Sequence, residues 1–135
     1  MFTCSGCGVA LPGRKARKFC SNACQRAAER EKHVAAWLRD GIAAHVGTTR
    51  GHYIRRYLFD DQAGLCAICG LGSEWNGHPL AFVRDHIDGD ATNNRRENLR
   101  LVCPNCDSQL ATYKSRNMGR GRAWRRARYA EGKSY

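Results

Sequence analysis

The sequence has no run of apolar residues long enough to cross a membrane, and its first residues, MFTCSGCGV, lack the charged-then-apolar order of a secretory signal peptide. We therefore expect a soluble, intracellular protein. Acidic residues are also few, with 12 Asp and Glu against 23 Lys and Arg and a net charge of +11. A chain of 135 residues with a mean hydropathy of −0.61 has little material for a large core, so we expect additional stabilising cross-links.

The positive charge is concentrated at the two ends of the chain. Residues 1–32 hold seven Lys and Arg against two Glu (net +5), and residues 111–135 hold eight against one Glu (net +7). Residues 33–110 hold eight Arg against nine acids, for a net charge of −1. Basic ends around a near-neutral centre are typical of a module that clamps nucleic acid. A basic surface that is merely solvated is the alternative.

Eight cysteines form two sets of four, and each set consists of two closely spaced pairs. The first set has the spacing C-x2-C-x12-C-x3-C, and the second has C-x2-C-x33-C-x2-C. The first set is Cys4, Cys7, Cys20 and Cys24, and the second is Cys66, Cys69, Cys103 and Cys106. Four thiolates complete the tetrahedral shell of one Zn²⁺, so the spacing predicts two structural zinc sites. Disulfides are the alternative, and a reducing compartment disfavours them.

Two segments have the spacing of amphipathic helices. FCSNACQRAAEREKHVAAWLRD predicts a helix capped at its start by Ser21 or Asn22. GHYIRRYLFDDQ places Ile54, Tyr57 and Leu58 on one helical face, where we expect them to belong to the core.

The centre of the sequence predicts two strands followed by a helix. PLAFVRDHI and NLRLVC read as strands, and a loop rich in Gly, Asp and Asn joins them. PNCDSQLATYK follows at once, and Pro104 fits the first position of a helix. The cysteine pairs of the second set would then hold the base of this unit together.

These residues carry a family resemblance. CAIC and WNGHPLAFVRDHIDGDATNNRRENLRLVCPNCDSQL resemble the HNH endonucleases of phages and bacteria, over about residues 52–118. The resemblance implies a small, zinc-stabilised α+β protein with a ββα-metal (treble-clef-like) core, preceded by a zinc knuckle and helices. It also implies metal-dependent hydrolysis of DNA phosphodiester bonds. The expected location is the cytoplasm of a bacterial host cell.

On this basis the sequence is divided into four parts. We expect a Cys4 zinc knuckle at residues 1–30 and a helical connector at residues 31–58. The HNH core with the second Cys4 site would occupy residues 59–115, and a basic, arginine-rich tail residues 116–135.

The resemblance assigns roles to four residues of the central stretch. His86 would be the general base that deprotonates water, which suits an imidazole with an ordinary pKa near 6.5. Asn98 would tie the loop and hold His86 in place, and Asp85 would bind a catalytic cation. After the second Cys pair this family usually has a histidine ligand, but here the residue is Asp107.

Asp107 leaves two hypotheses open. In the first, Asp107 and Asp85 form a two-carboxylate site for one Mg²⁺ or Mn²⁺, because hard cations prefer oxygen ligands. In the second, the loss of the imidazole has inactivated the site, and the protein is a zinc-dependent nucleic-acid-binding module. We favour the first, because Asp85, His86, Asn98 and both cysteine pairs are all present.

The C-terminal segment is rich in arginine with interleaved Trp and Tyr. The basic residues expected to contact DNA phosphates are Lys114, Arg116, Arg120, Arg122, Arg125, Arg126 and Arg128. The expected partner is double-stranded DNA, and no membrane partner is expected. One active site per chain predicts nicking, so double-strand cleavage would require a homodimer or a second binding event.

Overall fold

The computed structural model describes residues 1–43, 52–114 and 130–132. Within these ranges it contains helices α1 (Asn22–Asp40), α2 (His52–Asp61) and α3 (Pro104–Ser108). The strands are β1 (Phe2–Thr3), β2 (Ala10–Leu11), β3 (Glu74–Trp75), β4 (His78–Pro79), β5 (Val83–His86) and β6 (Leu99–Val102). They form three two-stranded sheets, β1–β2, β3–β4 and β5–β6, all antiparallel. The predicted α+β class is confirmed. None of the helices in the described part of the chain is both long and apolar enough to cross a membrane.

Helix α1 begins and ends with specific caps. The Ser21 hydroxyl accepts a hydrogen bond from the Cys24 N–H at 3.1 Å, so the predicted cap is confirmed at Ser21. At the other end Gly41 has φ +71° and donates its N–H to the Trp37 carbonyl at 2.7 Å. A left-handed residue suits glycine, which explains why the helix ends there.

The core lies between α1, α2 and β6. Ile54 and Leu58 of α2 are fully buried, as are Leu99 and Leu101 of β6. Trp37 of α1 completes this layer with 1% of its surface exposed. The predicted inward face of the second helix is therefore confirmed.

Two aromatic residues extend the same face of α2. Tyr57 is half-buried and packs edge-on against Trp37, with ring centroids 5.3 Å apart. Tyr53, which the helical pattern did not single out, is also buried.

The end of α2 is connected to β6 by the side chain of Gln62. Its amide oxygen accepts the Leu101 N–H at 2.8 Å, and its amide nitrogen donates to the Leu101 carbonyl at 2.9 Å. The side chain thus makes the two hydrogen bonds to the Leu101 backbone that a neighbouring strand would make. This pairing fixes the helix against the hairpin that carries the candidate site.

Hairpin β5–β6 is shorter than the predicted strands. The predicted first strand included Leu80, but the Leu80 N–H donates to the Ser73 carbonyl at 2.8 Å, beside the β3–β4 hairpin. Pairing with β6 begins only at Val83, opposite Val102. The chain changes its hydrogen-bond partner between residues 80 and 83, so the strand begins later than predicted.

The predicted third helix is also shorter than expected. It begins at Pro104 as predicted, but it ends at Ser108 rather than near Lys114. The Leu110 N–H donates to the Asp107 carbonyl, and the Tyr113 N–H donates to the Leu110 carbonyl. These bonds span three residues instead of four, so the chain continues as turns.

The proposed four-part division stays a prediction. Helix α1 runs without interruption through residues 30 and 31. The zinc knuckle and the helical connector therefore share one helix.

Candidate metal centres and active site

The first cysteine set forms a compact cluster near the N-terminus. It consists of Cys4, Cys7, Cys20 and Cys24. The Sγ atoms of Cys4 and Cys24 lie 3.4 Å apart, and those of Cys7 and Cys20 lie 3.8 Å apart. A tetrahedral zinc with Zn–S bonds of about 2.3 Å requires S–S separations near 3.8 Å. The cluster therefore has the dimensions of a zinc site.

Backbone N–H groups around Cys4 prepare its sulfur to act as a thiolate. The N–H groups of Gly6 and Cys20 approach this sulfur at 3.4 Å and 3.3 Å. The backbone N–H of Cys7, with these two, lowers the pKa of Cys4 to about 6. Its sulfur in turn raises the pKa of Cys24 to about 12, because two thiolates in contact repel each other. A bound cation removes this repulsion, as expected of a metal ligand set.

The second cluster lies at the base of hairpin β5–β6. It consists of Cys66, Cys69, Cys103 and Cys106. The sulfurs of Cys69 and Cys103 are 3.8 Å apart. The Cys103 sulfur also caps α3, since it accepts the Cys106 N–H at 3.4 Å. Burial raises the pKa of Cys66, but the N–H groups of Cys69 and Cys103 outweigh it and bring the pKa to about 6.

All eight cysteines are free thiols, and in each cluster the four ligand atoms lie within 4.8 Å of one another. Both predicted quartets are thus confirmed as four-cysteine clusters compatible with structural zinc. In the described part of the chain, no other group of three or more His, Cys, Asp or Glu side chains is as close.

Asp85 is a buried carboxylate in the middle of the hairpin. It is 8% exposed and lies directly opposite Arg100 in the β5–β6 pairing. The Arg100 Nε donates to Asp85 Oδ2 at 2.8 Å. Sequence reasoning missed Arg100, although the strand register alone places it beside Asp85. One carboxylate oxygen, Oδ1, remains without a side-chain partner in the described residues.

His86 follows at the end of β5 and has one side-chain hydrogen bond within the described residues. Its Nε2 lies 2.9 Å from the Asn94 side-chain oxygen. An amide oxygen accepts only, so the assigned tautomer carries the proton on Nε2 and a lone pair on Nδ1. The Asn94 carbonyl accepts the Trp37 indole N–H at 2.6 Å. Helix α1 thereby holds the residue that orients His86, a connection that the sequence pattern did not reveal.

Asn98 braces the loop between the two strands. Its side-chain oxygen accepts the Asp88 N–H at 3.0 Å. Its amide nitrogen donates to Asp88 Oδ1 at 2.9 Å and to the Asn93 carbonyl at 2.8 Å. The side chain is 8% exposed, so all three bonds are shielded from water. Asn98 does not bond to the His86 ring, but its own carbonyl accepts the N–H of Ile87 at 2.9 Å.

Two aspartates complete this loop. The pKa of Asp88 is lowered, mainly by the hydrogen bond from the side-chain amide of Asn93 and next by that from the N–H of Asp90. The pKa of Asp90 is lowered, mainly by the hydrogen bond from the Thr92 hydroxyl and next by that from the Thr92 N–H. Both carboxylates are thus used to shape the loop.

Asp107 lies in α3, directly after Cys106, and is half-buried. Helix α3 contacts β5, so Asp85 and Asp107 come from two elements that touch. Carboxylates are hard oxygen donors, the ligand type that Mg²⁺ and Mn²⁺ prefer. That Asp85 and Asp107 share one such ion stays a prediction.

The predicted tail contacts fall almost entirely outside the described residues. Arg116, Arg120, Arg122, Arg125, Arg126 and Arg128 lie in the part of the chain that the structure does not describe. Lys114 is described and exposed, with its Nζ 5.0 Å from the centre of the Tyr113 ring. The Tyr113 side chain, and more weakly Asp107, raise the pKa of Lys114. Its contact with DNA stays a prediction.

Comparison with known proteins gives one curated relative. A 55-residue stretch is 42% identical to the H-N-H endonuclease F-TflIV of Escherichia phage T5. The match covers 41% of this chain and 24% of the relative, so the chain spans about a quarter of that protein's length. No family model matches the sequence. No solved structure matches either. The resemblance to HNH endonucleases is confirmed over this stretch.

Proposed function

We propose that this protein is a metal-dependent DNA endonuclease whose active site is built on hairpin β5–β6 and helix α3. These elements would be the ββα-metal core. The observation that carries the proposal is that buried Asp85 is followed in β5 by His86, whose imidazole is oriented by Asn94 and keeps Nδ1 as a proton acceptor. The similarity to a phage H-N-H endonuclease supports the same chemistry.

His86 would act as the general base. Its Nε2–H is directed to Asn94 Oδ1, so Nδ1 faces no described hydrogen-bond donor. Nδ1 would accept a proton from a water molecule, which then attacks the phosphorus atom of the DNA backbone. The Asn94 bond keeps the ring in one orientation and stabilises the imidazolium that forms.

Asp85 and Asp107 would hold one Mg²⁺ or Mn²⁺ ion. When bound, this ion supplies positive charge to the phosphate and to the departing oxygen. Asp85 offers Oδ1, while Arg100 holds Oδ2 and fixes the carboxylate plane. Asn98 would be a positioning residue, since it fixes the loop from Asp88 to Asn93 and touches no reacting atom.

The test of the proposal is relaxation of supercoiled plasmid by the zinc-loaded protein. We expect cleavage with Mg²⁺ or Mn²⁺ and none without added divalent cation. The product should be nicked circles, because each chain carries one candidate site. Linear product that appears only at high protein concentration would indicate a homodimer acting on both strands.

The alternative is a zinc-dependent nucleic-acid-binding protein without catalysis. One observation favours it: Asp85 is already neutralised by Arg100, 2.8 Å away. Tight DNA binding together with intact plasmid under every metal condition would establish this alternative.

Asp107 provides a test of the cation site. We expect Asp107→Ala to lower the cleavage rate by about 10²-fold to 10³-fold, the range for losing one charge-stabilising group. We expect Asp107→His to retain activity and to shift the preferred metal from Mg²⁺ toward softer ions. Calorimetric titration with Mg²⁺ provides a readout that does not depend on cleavage.

The matched control is Glu74→Ala, which removes an exposed carboxylate from β3. It should bind Mg²⁺ and cleave as the wild type does. Full metal-dependent activity in Asp107→Ala would show that Asp107 is no ligand.

Asn94 provides a test of the His86 orientation. We expect Asn94→Ala to lower kcat about 10-fold to 100-fold with little change in KM, because a misplaced base loses rate without losing substrate contacts. Trp37→Phe should produce a smaller decrease in kcat, since it removes the indole N–H but keeps the ring packing. Single-turnover cleavage at saturating protein measures the rate of the chemical step in both variants. An unchanged kcat in Asn94→Ala would contradict this orienting role.

A further inference from the structure

A groove of about 670 Å³ is lined by helices α1 and α2, which pack against each other beside it. Its floor is formed by residues 80–82, just before β5. Helix α1 contributes Arg26, Glu29, Arg30 and His33, which are spaced i, i+3, i+4 and i+7 and so lie on one helical face. The groove is distinct from the candidate active site, because none of its lining residues belongs to that site.

Helix α2 forms the opposite wall with the same spacing. Its lining residues include His52, Arg55, Arg56 and Phe59. Two helices therefore present matching basic stripes to one groove. The lining holds four arginines against one glutamate.

Among the residues that the structure describes, no carboxylate forms an ion pair with the groove arginines. The ion pairs found in the described residues are Arg96 with Asp61 and Arg100 with Asp85, and neither involves the groove. The one acid of the lining, Glu29, instead accepts a hydrogen bond from Gln25 at 3.0 Å. The positive charge of the groove is thus available to a bound anion.

Arg55 and Arg84 extend this charge toward β5. Arg55 donates to the Phe82 carbonyl at 2.7 Å, which fixes it at the groove floor. Arg84 follows on β5 and is half-buried. The positive charge of the groove therefore continues toward the strand that carries His86.

The position of the groove relates it to the candidate active site. Arg84 and His86 are two residues apart on β5, so their side chains leave the same face of the strand. From Phe82 to His86 the strand covers about 13 Å, at a rise of about 3.3 Å per residue. That length corresponds to about four base pairs along the axis of duplex DNA, at about 3.4 Å each.

We propose that the α1–α2 groove binds the sugar–phosphate backbone of the DNA substrate, a few nucleotides away from the bond that is cut. The inference rests on the proposed nuclease function for the identity of the polyanion. The exposed side chain of Phe59 would provide apolar contact with sugar rings, and the arginines would contact phosphates. Binding would place the DNA across the hairpin that carries His86.

The test compares two double variants of helix α1. Arg26→Gln with Arg30→Gln removes two charges from the groove. Lys32→Gln with Arg39→Gln removes two charges from the same helix outside the groove lining. Binding to a fluorescent 30-base-pair duplex is measured by anisotropy at several salt concentrations, with zinc-loaded protein and no other divalent cation.

We expect the groove variant to bind the duplex at least 10-fold more weakly at 0.1 M salt. Its slope of log K against log salt should decrease by about 1.8, or about 0.9 for each lost phosphate contact. The control variant should retain nearly the wild-type slope. Circular dichroism confirms that both variants are folded. Equal losses in the two variants, or wild-type binding by the groove variant, would overturn the proposal.

Cleavage assays separate this inference from the proposed function. At low salt and saturating protein, the groove variant should cleave with the wild-type kcat and a raised KM. A wild-type protein that binds through the groove but never cleaves would disprove the nuclease function and leave the groove assignment standing. If the protein cleaves DNA while the groove variant keeps the wild-type affinity and salt slope, the groove assignment would be disproved and the nuclease function would stand.

Discussion

Replacement of His86 by alanine is expected to lower the rate of plasmid nicking by about 10²-fold to 10⁴-fold, the usual contribution of a general base. The loss should appear in kcat, because the imidazole is assigned to proton transfer rather than to DNA binding. His86 makes a single side-chain hydrogen bond in the described residues, to Asn94, so the variant should fold normally. Steady-state nicking rates in Mg²⁺ and in Mn²⁺ measure the effect.

His78→Ala is the matched control. His78 is an exposed histidine of β4 to which we assign no chemistry, and its loss should leave the rate unchanged. Added imidazole should partly restore nicking by His86→Ala, since it supplies the missing base from solution. Undiminished cleavage by purified His86→Ala would disprove the mechanism.

Removal of one zinc ligand from either cluster is expected to release that zinc and to destabilise the surrounding fold. Zinc binding to small zinc-dependent domains contributes about 10–16 kcal/mol, which is as large as the roughly 5–15 kcal/mol that stabilises a typical domain. We expect Cys69→Ser to unfold the base of hairpin β5–β6 and to abolish nicking. Elemental analysis should find one zinc per chain instead of two, and thermal unfolding followed by circular dichroism should shift to lower temperature.

Cys7→Ser provides a matched comparison from the first cluster. Cys7 and Cys69 are both exposed, so neither substitution creates a cavity in the core. Cys7→Ser should also leave one zinc per chain, but it should spare the hairpin and α3. Two zincs per chain with an unchanged unfolding temperature in both variants would be incompatible with the two-cluster interpretation.

Much of the architecture follows from local patterns in the sequence. Ser21 before an amphipathic run predicts where α1 begins, because a hydroxyl satisfies the free N–H groups of the first turn. The cysteine spacing predicts both clusters, because a short-spaced pair brings two thiolates toward one ion. The strand face that contains Leu99 and Leu101 follows from alternation alone.

The ends of elements were predicted less well. The first strand of the hairpin starts four residues later than predicted, at Val83 rather than Pro79, because Leu80 pairs with Ser73. Helix α3 ends at Ser108 and gives way to turns. Both boundaries depend on hydrogen bonds that compete with the local preference of the chain.

The sequence by itself determined which groups are available for chemistry: two cysteine quartets, the Asp85–His86 pair, Asn98 and Asp107. Only the tertiary structure decided what each of these side chains faces. The Trp37 indole reaches the carbonyl of Asn94 across 57 residues of chain. The groove arginines converge because α1 and α2 pack together, although about 30 positions separate them in sequence. Contacts of this kind depend on how distant elements pack, and no local pattern of residues encodes that packing.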